Sequence, residues 1–142
     1  QALFCDGDFL WFCDPEEVMD YFYDEDTVSV VKHPNFLIKP KKMKGKKNDS
    51  YPRKYWSSLM LFNNPKCKTL TVDYVNEAPA GALHELQWAD GIGEIPAQYN
   101  AMVNYYKFNR PKAVHFTDGG PWLNINDNSE YTAAWMQIRK TM

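Results

Sequence analysis

The sequence predicts an α/β or α+β domain, a mixed sheet flanked by helices. Four short runs, residues 2–5, 27–32, 58–62 and 112–117, are apolar or β-branched and have the length of strands. Helix-start signals lie between and after these runs. No internal repeat is found, and strands that alternate with helices are typical of a layered sheet domain.

Residues 1–38 are predicted to contain two strands and one helix. Residues 2–5 form an apolar run, and residues 27–32 are β-branched and alternate. Between them, Asp14 can cap a helix, Pro15 suits its first position and Glu17 completes a capping box, so a helix to about Tyr23 is expected.

Residues 39–54 are rich in lysine and are broken by Pro and Gly, without apolar periodicity. The segment is predicted to be a mobile, solvated loop. Binding of nucleic acid or anionic lipid through its lysines is the alternative, and steep salt dependence would be its signature.

Residues 55–142 are predicted to hold two strands and three helical segments. The strand at 58–62 ends at Asn63-Asn64-Pro65, and helices are expected near 72–78 and 80–88. A further strand covers 112–117. In the last segment Asp127 is a candidate cap and Glu130 closes its box, so the chain should end in a helix.

Composition limits the classes of function. The 142 residues are 44% hydrophobic, which is enough for the core of one domain, and the net charge of −2 argues against general affinity for nucleic acid. No apolar run reaches the roughly 20 residues of a membrane span. Three cysteines without metal-ligand spacing favour a reducing compartment, so a cytoplasmic protein is expected. Because Gln1 leads directly into an apolar run, we also expect a domain cut at its N-terminus.

Asp6-Gly7-Asp8 is the strongest candidate for a functional site. Side chains at i and i+2 of an extended segment point the same way, so both carboxylates can address one cation. Gly7 lets a ligand approach the backbone, and the pair follows an apolar strand, where open sheets bind ligands. A polar turn is the alternative, and the similar Asp24-Glu25-Asp26 is interpreted as a solvated helix end.

His115 lies late in an apolar strand and is followed by Gly119-Gly120, a turn whose N–H groups suit phosphate oxygens. The alternative is a hydrogen-bonded core histidine. Two carboxylates and one imidazole, with positions left for phosphate oxygens, favour Mn²⁺ (or Mg²⁺) over zinc. The aromatic Trp122, beside the glycine pair, is the best candidate to stack on a sugar ring.

Taken in order, these segments resemble GT-A glycosyltransferases. The likeness extends to the glycogenin and lipopolysaccharide galactosyltransferase group and, more closely, to a set of bacterial and phage glycosyltransferase-like proteins. It is carried by Ala2-Leu3-Phe4-Cys5-Asp6-Gly7-Asp8, Arg53-Lys54 with Trp56-Ser57-Ser58, Leu83-His84, Trp88, Ile92-Gly93, Pro96, Asn100 and His115-Phe116-Thr117-Asp118-Gly119-Gly120-Pro121-Trp122.

The resemblance implies one partial domain over residues 1–142, the C-terminal part of a GT-A fold. A nucleotide-sugar donor and a glycan or other acceptor would be its substrates, with a divalent metal that offsets charge on the leaving diphosphate. Asp6 would contact ribose and metal, while Asp8 and His115 would bind the metal. Contacts to donor or acceptor would come from Ser57, Ser58, Gly119, Gly120 and Trp122, with Asp90 as the nearest candidate for the catalytic residue. The alternative for Asp90, which its sequence context favours, is an exposed loop aspartate without a catalytic role.

Two departures weaken that likeness: Gly120 stands where the glycogenin-like group has lysine, and its Asp-Gln pair is absent. The resulting hypotheses are a metal-dependent glycosyltransferase and, alternatively, a non-catalytic remnant. Because a sheet cut before its Asp-x-Asp strand leaves an unpaired edge, self-association is expected. Poor sugar transfer by this chain alone is also expected.

Overall fold

The computed structural model describes residues 1–34, 41–42, 45–105, 107–123 and 130–141. Within these residues the fold is mixed α/β, with two mixed sheets, a two-stranded hairpin and a few helices. The strands are β1 (Ala2–Cys5), β2 (Phe9–Trp11), β3 (Val28–Val30), β4 (Lys41–Lys42), β5 (Lys46–Lys47), β6 (Leu59–Phe62), β7 (Ile92–Glu94), β8 (Ala101–Met102) and β9 (Ala113–His115). The α-helices are α1 (Val72–Glu77), α2 (Ala80–His84) and α3 (Glu130–Thr141).

The chain divides into two compact units. The first comprises Gln1–Asp6, Asp14–Asn35 and Ser50–Ala97, and contains a sheet of order β1-β6-β3-β7. In it β6 runs antiparallel to β1 and to β3, whereas β7 runs parallel to β3. The predicted strands at 2–5, 27–32 and 58–62 are confirmed as β1, β3 and β6.

The buried core of the first unit is formed by residues of β3 and of the segment that follows α2. Val28, Val30, Leu86 and Trp88 are all buried. The Trp88 ring stacks on Phe62 with centroids 5.8 Å apart, and its indole N–H donates to the Leu83 carbonyl. The helix predicted for 80–88 ends at His84, because Leu86 takes a left-handed φ of +56° that an α-helix cannot accommodate.

The helix expected from Asp14 forms as a 3₁₀-helix, Pro15–Tyr21. The Asp14 side chain accepts a hydrogen bond from the Glu16 N–H at 3.0 Å, so Asp14 does cap the segment as predicted. The end is closed by an i+3 bond from the Phe22 N–H to the Met19 carbonyl. At seven residues it is longer than most 3₁₀ segments, which seldom exceed about four residues.

The second unit comprises Gly7–Cys13, Phe36–Asp49 and Gln98–Met142. Its sheet has the order β2-β9-β8, with β9 antiparallel to β2 and parallel to β8. Five residues form its buried core, against which α3 packs through Tyr131, Ala134 and Trp135; the five are Leu10, Ala101, Val103, Val114 and Phe116. The predicted strand at 112–117 and the C-terminal helix are thus confirmed as β9 and α3, while the proposed cap Asp127 lies outside the described residues.

The lysine-rich segment contains secondary structure that its composition does not predict. Strands β4 and β5 pair antiparallel, with Lys41 opposite Lys47 and Lys42 opposite Lys46. The exposed Lys47 ammonium lies 2.7 Å from the Asp49 carboxylate. In the part of the chain that is described, no helix is both long and apolar enough to cross a membrane.

Replacing Gly93 with alanine should destabilise the first unit by about 1–3 kcal/mol through overpacking. Gly93 lies on β7, and a Cβ built there would collide with the side chains of Asp26 and Ser29. The measurement is urea unfolding of the purified chain. Gly81→Ala on α2 is the matched control, since its Cβ would meet its nearest neighbour, a Glu85 oxygen, at 3.9 Å. The control should be neutral or stabilising by up to about 1 kcal/mol; equal behaviour of the two variants would contradict the prediction.

Candidate metal centre

Two strands of the second unit bring Asp8 and His115 together. Phe9, the first residue of β2, pairs with His115, the last of β9. The Phe116 N–H donates to the Asp8 carbonyl at 3.0 Å, which extends this pairing by one residue. As a result Asp8 Oδ1 lies 3.2 Å from His115 Nε2, with the imidazole almost fully buried and the carboxylate 18% exposed.

The His115 ring is held from two further directions. Its Nδ1 lies 3.1 Å from Asn100 Oδ1, and Asn100 is fully buried. The Phe9 ring stacks on the imidazole with centroids 4.7 Å apart and planes 22° apart. Because Asn100 Oδ1 is an acceptor, it holds a proton on Nδ1, and a neutral ring then directs its Nε2 lone pair at Asp8. Either a second proton on the ring or a bound cation makes this contact between Nε2 and the Asp8 carboxylate favourable.

Asp6 provides the third candidate ligand. It follows β1, and its N–H donates to the Ser58 carbonyl at 3.0 Å, which continues the β1–β6 ladder of the first unit. Gly7 separates it from Asp8, and a Cβ built on Gly7 meets nothing within 4 Å. One ligand atom from each of Asp6, Asp8 and His115 lies within 4.8 Å of the other two.

These residues fit a divalent cation. Ligand atoms about 2.1 Å from one ion in octahedral geometry lie about 3 Å apart at adjacent positions. The 3.2 Å between Asp8 Oδ1 and His115 Nε2 matches that spacing. Carboxylate oxygen with a single imidazole nitrogen suits Mn²⁺ or Mg²⁺ better than a structural zinc site. The interaction between Asn100 and His115 is the outer support that metal-ligating histidines usually have.

The glycine pair lies just beyond His115 in the same unit. Gly119 has a left-handed φ of +99°, and its N–H donates to the Phe116 carbonyl at 2.7 Å. A Cβ on Gly120 would meet the Trp122 ring, so that ring would have to shift if Gly120 were replaced. Trp122 packs edge-on against Phe116 and remains 37% exposed, so one aromatic surface is available beside the turn.

The remaining sequence-derived candidates have other surroundings. Ser58 is buried, and its hydroxyl donates to the Tyr55 carbonyl at 2.6 Å. Ser57 is half-buried and contacts His84, with 3.0 Å between Oγ and Nδ1. Asp90 is exposed and lies outside the three-ligand group. Conversely, the positioning residues Asn100 and Phe9 were not predicted, since only the pairing of β2, β8 and β9 places them against His115.

Comparison with known proteins gives one informative relative. The chain is 36% identical to the Arabidopsis thaliana protein named Protein CDI over 145 aligned residues. The alignment covers 95% of this chain but 56% of the relative, so the chain spans little more than half the length of that protein. No family model matches the chain, and no solved structure matches it either.

These findings correct the family assignment. The resemblance of the motifs to GT-A glycosyltransferases predicts membership of that family, related to the glycogenin group. That assignment is wrong: the relative that is found bears the name Protein CDI, and neither a glycosyltransferase family nor a glycosyltransferase structure matches. The motifs that carried the resemblance are short, and the chain contains a second Asp-x-Asp at Asp24-Glu25-Asp26.

Proposed function

We propose that the chain binds a divalent metal ion through Asp6, Asp8 and His115 and uses it to transfer a sugar from a nucleotide-sugar donor. The observation that carries the proposal is the approach of Asp8 Oδ1 to His115 Nε2, 3.2 Å, on a ring whose other nitrogen faces Asn100. A cation at this point relieves the repulsion between a lone pair and a carboxylate. Sites with this donor set keep coordination positions for phosphate oxygens.

The proposed role of the metal is to stabilise the negative charge of the leaving group. When a nucleotide sugar reacts, the diphosphate leaves with additional negative charge, and a bound divalent cation would supply a Lewis acid for it. Asp6 and Asp8 would hold that cation, and Asn100 would keep His115 in the tautomer that can ligate. Because the Gly119 N–H is already bonded to the Phe116 carbonyl, phosphate oxygens would be held mainly by the metal, and the exposed part of the Trp122 ring would offer a surface for the sugar.

The test is metal-dependent binding and turnover of nucleotide sugars. UDP-, GDP- and CDP-sugars are titrated into the chain with and without Mn²⁺, and release of the free nucleoside diphosphate is followed. We expect at least one donor to bind in the presence of Mn²⁺ and to lose that binding with EDTA. Absence of metal-dependent binding for the whole panel would refute the proposal. Binding without release would instead support the alternative, a non-catalytic α/β domain that retains the metal site.

A further inference from the structure

A second polar pair lies in the first unit. Ser57 Oγ and His84 Nδ1 are 3.0 Å apart, within hydrogen-bond reach, although 27 residues separate them. Ser57 belongs to a short 3₁₀-helix directly before β6, and His84 is the last residue of α2. Ser57 is half-buried and His84 is exposed, so solvent and small molecules can reach the pair. A serine bonded to a histidine base is the arrangement that activates a hydroxyl as a nucleophile.

The backbone around the pair is strained. Arg53 and Tyr55, just before Ser57, have φ of +54° and +71°, and Leu86, just after His84, has φ of +56°. Left-handed conformations are unfavourable for residues with a Cβ, and they persist where surrounding structure enforces them, often at functional sites. Three residues with a left-handed φ thus lie on the two segments that the Ser57–His84 hydrogen bond connects. This indicates that the surrounding structure imposes the geometry of that bond.

Two further contacts fix this arrangement. The Arg53 guanidinium donates to the carbonyl of Glu85 at 2.7 Å, which ties the serine segment to the residue after His84. This bond also places a permanent positive charge near the pair. The Tyr51 ring lies 6.2 Å from the His84 ring, centroid to centroid, with the two planes tilted by 45°. Burial is the largest of the effects that raise the Tyr51 pKa, so its phenol stays a neutral hydrogen-bond donor.

We propose that Ser57 and His84 form a nucleophile–base pair that accepts an acyl group from a small carboxylic ester. The Ser57 oxygen attacks the carbonyl carbon while His84 takes its proton. The bond to the alcohol then breaks, and the alcohol leaves with the proton from His84. Water hydrolyses the acyl-Ser57 intermediate by the same route, which releases the carboxylic acid and restores the serine.

The test uses p-nitrophenyl acetate and a fluorophosphonate with the 142-residue chain. We expect a burst of p-nitrophenolate and, after digestion, an adduct on the peptide that contains Ser57. Ser57→Ala should abolish both, and Ser50→Ala, which removes an exposed serine from the same segment, should change neither. His84→Gln keeps a hydrogen-bonding side chain but cannot serve as a base, so labelling should slow about 100-fold or more.

Absence of an adduct on Ser57 in the parent chain would overturn the proposal, and this outcome does not depend on any variant. Labelling that is unchanged in His84→Gln would overturn it as well, because the histidine would then be a structural partner. Circular dichroism and urea unfolding of each variant show whether a lost signal reflects lost folding. EDTA and Mn²⁺ should leave the labelling rate unchanged, since the pair uses no metal.

Discussion

Replacing Asp8 with asparagine should lower the affinity of the chain for Mn²⁺ by more than about 100-fold, which exceeds the usual effect of losing a residue that only supports a ligand. The substitution keeps the size of the side chain and removes the charge that faces His115 Nε2 at 3.2 Å. The Asp8 carbonyl, which accepts from the Phe116 N–H, is not altered. Isothermal titration with MnCl₂ measures the change directly.

Asp24→Asn provides the matched control. Asp24 is exposed and belongs to the other Asp-x-Asp of the chain, Asp24-Glu25-Asp26, so the same substitution changes the net charge equally. Its Mn²⁺ affinity should equal that of the parent. If Asp8→Asn and Asp24→Asn bind Mn²⁺ alike, the metal assignment is wrong, whatever the outcome of the nucleotide-sugar assay.

Replacing Phe116 with alanine should lower the free energy of unfolding by about 3–5 kcal/mol. The side chain is 1% exposed and packs with Leu10, Val114 and the edge of Trp122 in the second unit. Truncation removes a buried ring and leaves a cavity that short strands cannot close. Urea unfolding monitored by circular dichroism gives the difference.

Phe12→Ala is the comparison for this loss. Phe12 belongs to the same unit and contacts Tyr131, but it is 46% exposed. Its truncation should cost about 1 kcal/mol or less, since much of the ring already lies in water. A Phe116→Ala variant as stable as Phe12→Ala would show that the second unit lacks the packed core described above.

The sequence predicts those elements whose stability is local. The apolar runs of β1, β3, β6 and β9 and the capped helices carry their own signals in composition and spacing. In contrast, β2, β7 and β8 lie outside the four predicted runs, and they are strands because of the partners they meet, which are β9, β3 and β9 respectively. Such pairing joins distant segments, as Met102 with His115 does, and no local pattern specifies it.

The candidate site likewise has some residues that the sequence predicts and others that it does not. Asp6, Asp8 and His115 were singled out because carboxylates and an imidazole follow predicted strands, and the structure places their ligand atoms within 4.8 Å of one another. The support from Asn100 could not be predicted, because an asparagine before a two-residue strand has no distinguishing pattern. The Ser57–His84 contact is equally non-local, and the assignment of Asp90 as catalytic residue stays a prediction.

The β2-β9-β8 sheet limits where residues can be inserted into the second unit or deleted from it. Asp8 directly precedes β2, Asn100 directly precedes β8 and His115 ends β9. Each of the three strands therefore has, at one end, either His115 or a residue that contacts the His115 ring. Side chains alternate between the two faces of a strand, so shifting β9 by one residue turns His115 to the opposite face. Insertions should therefore be tolerated better in the connections between these strands than inside them, because a single residue inserted in β9 before His115 would move the imidazole away from its neighbours.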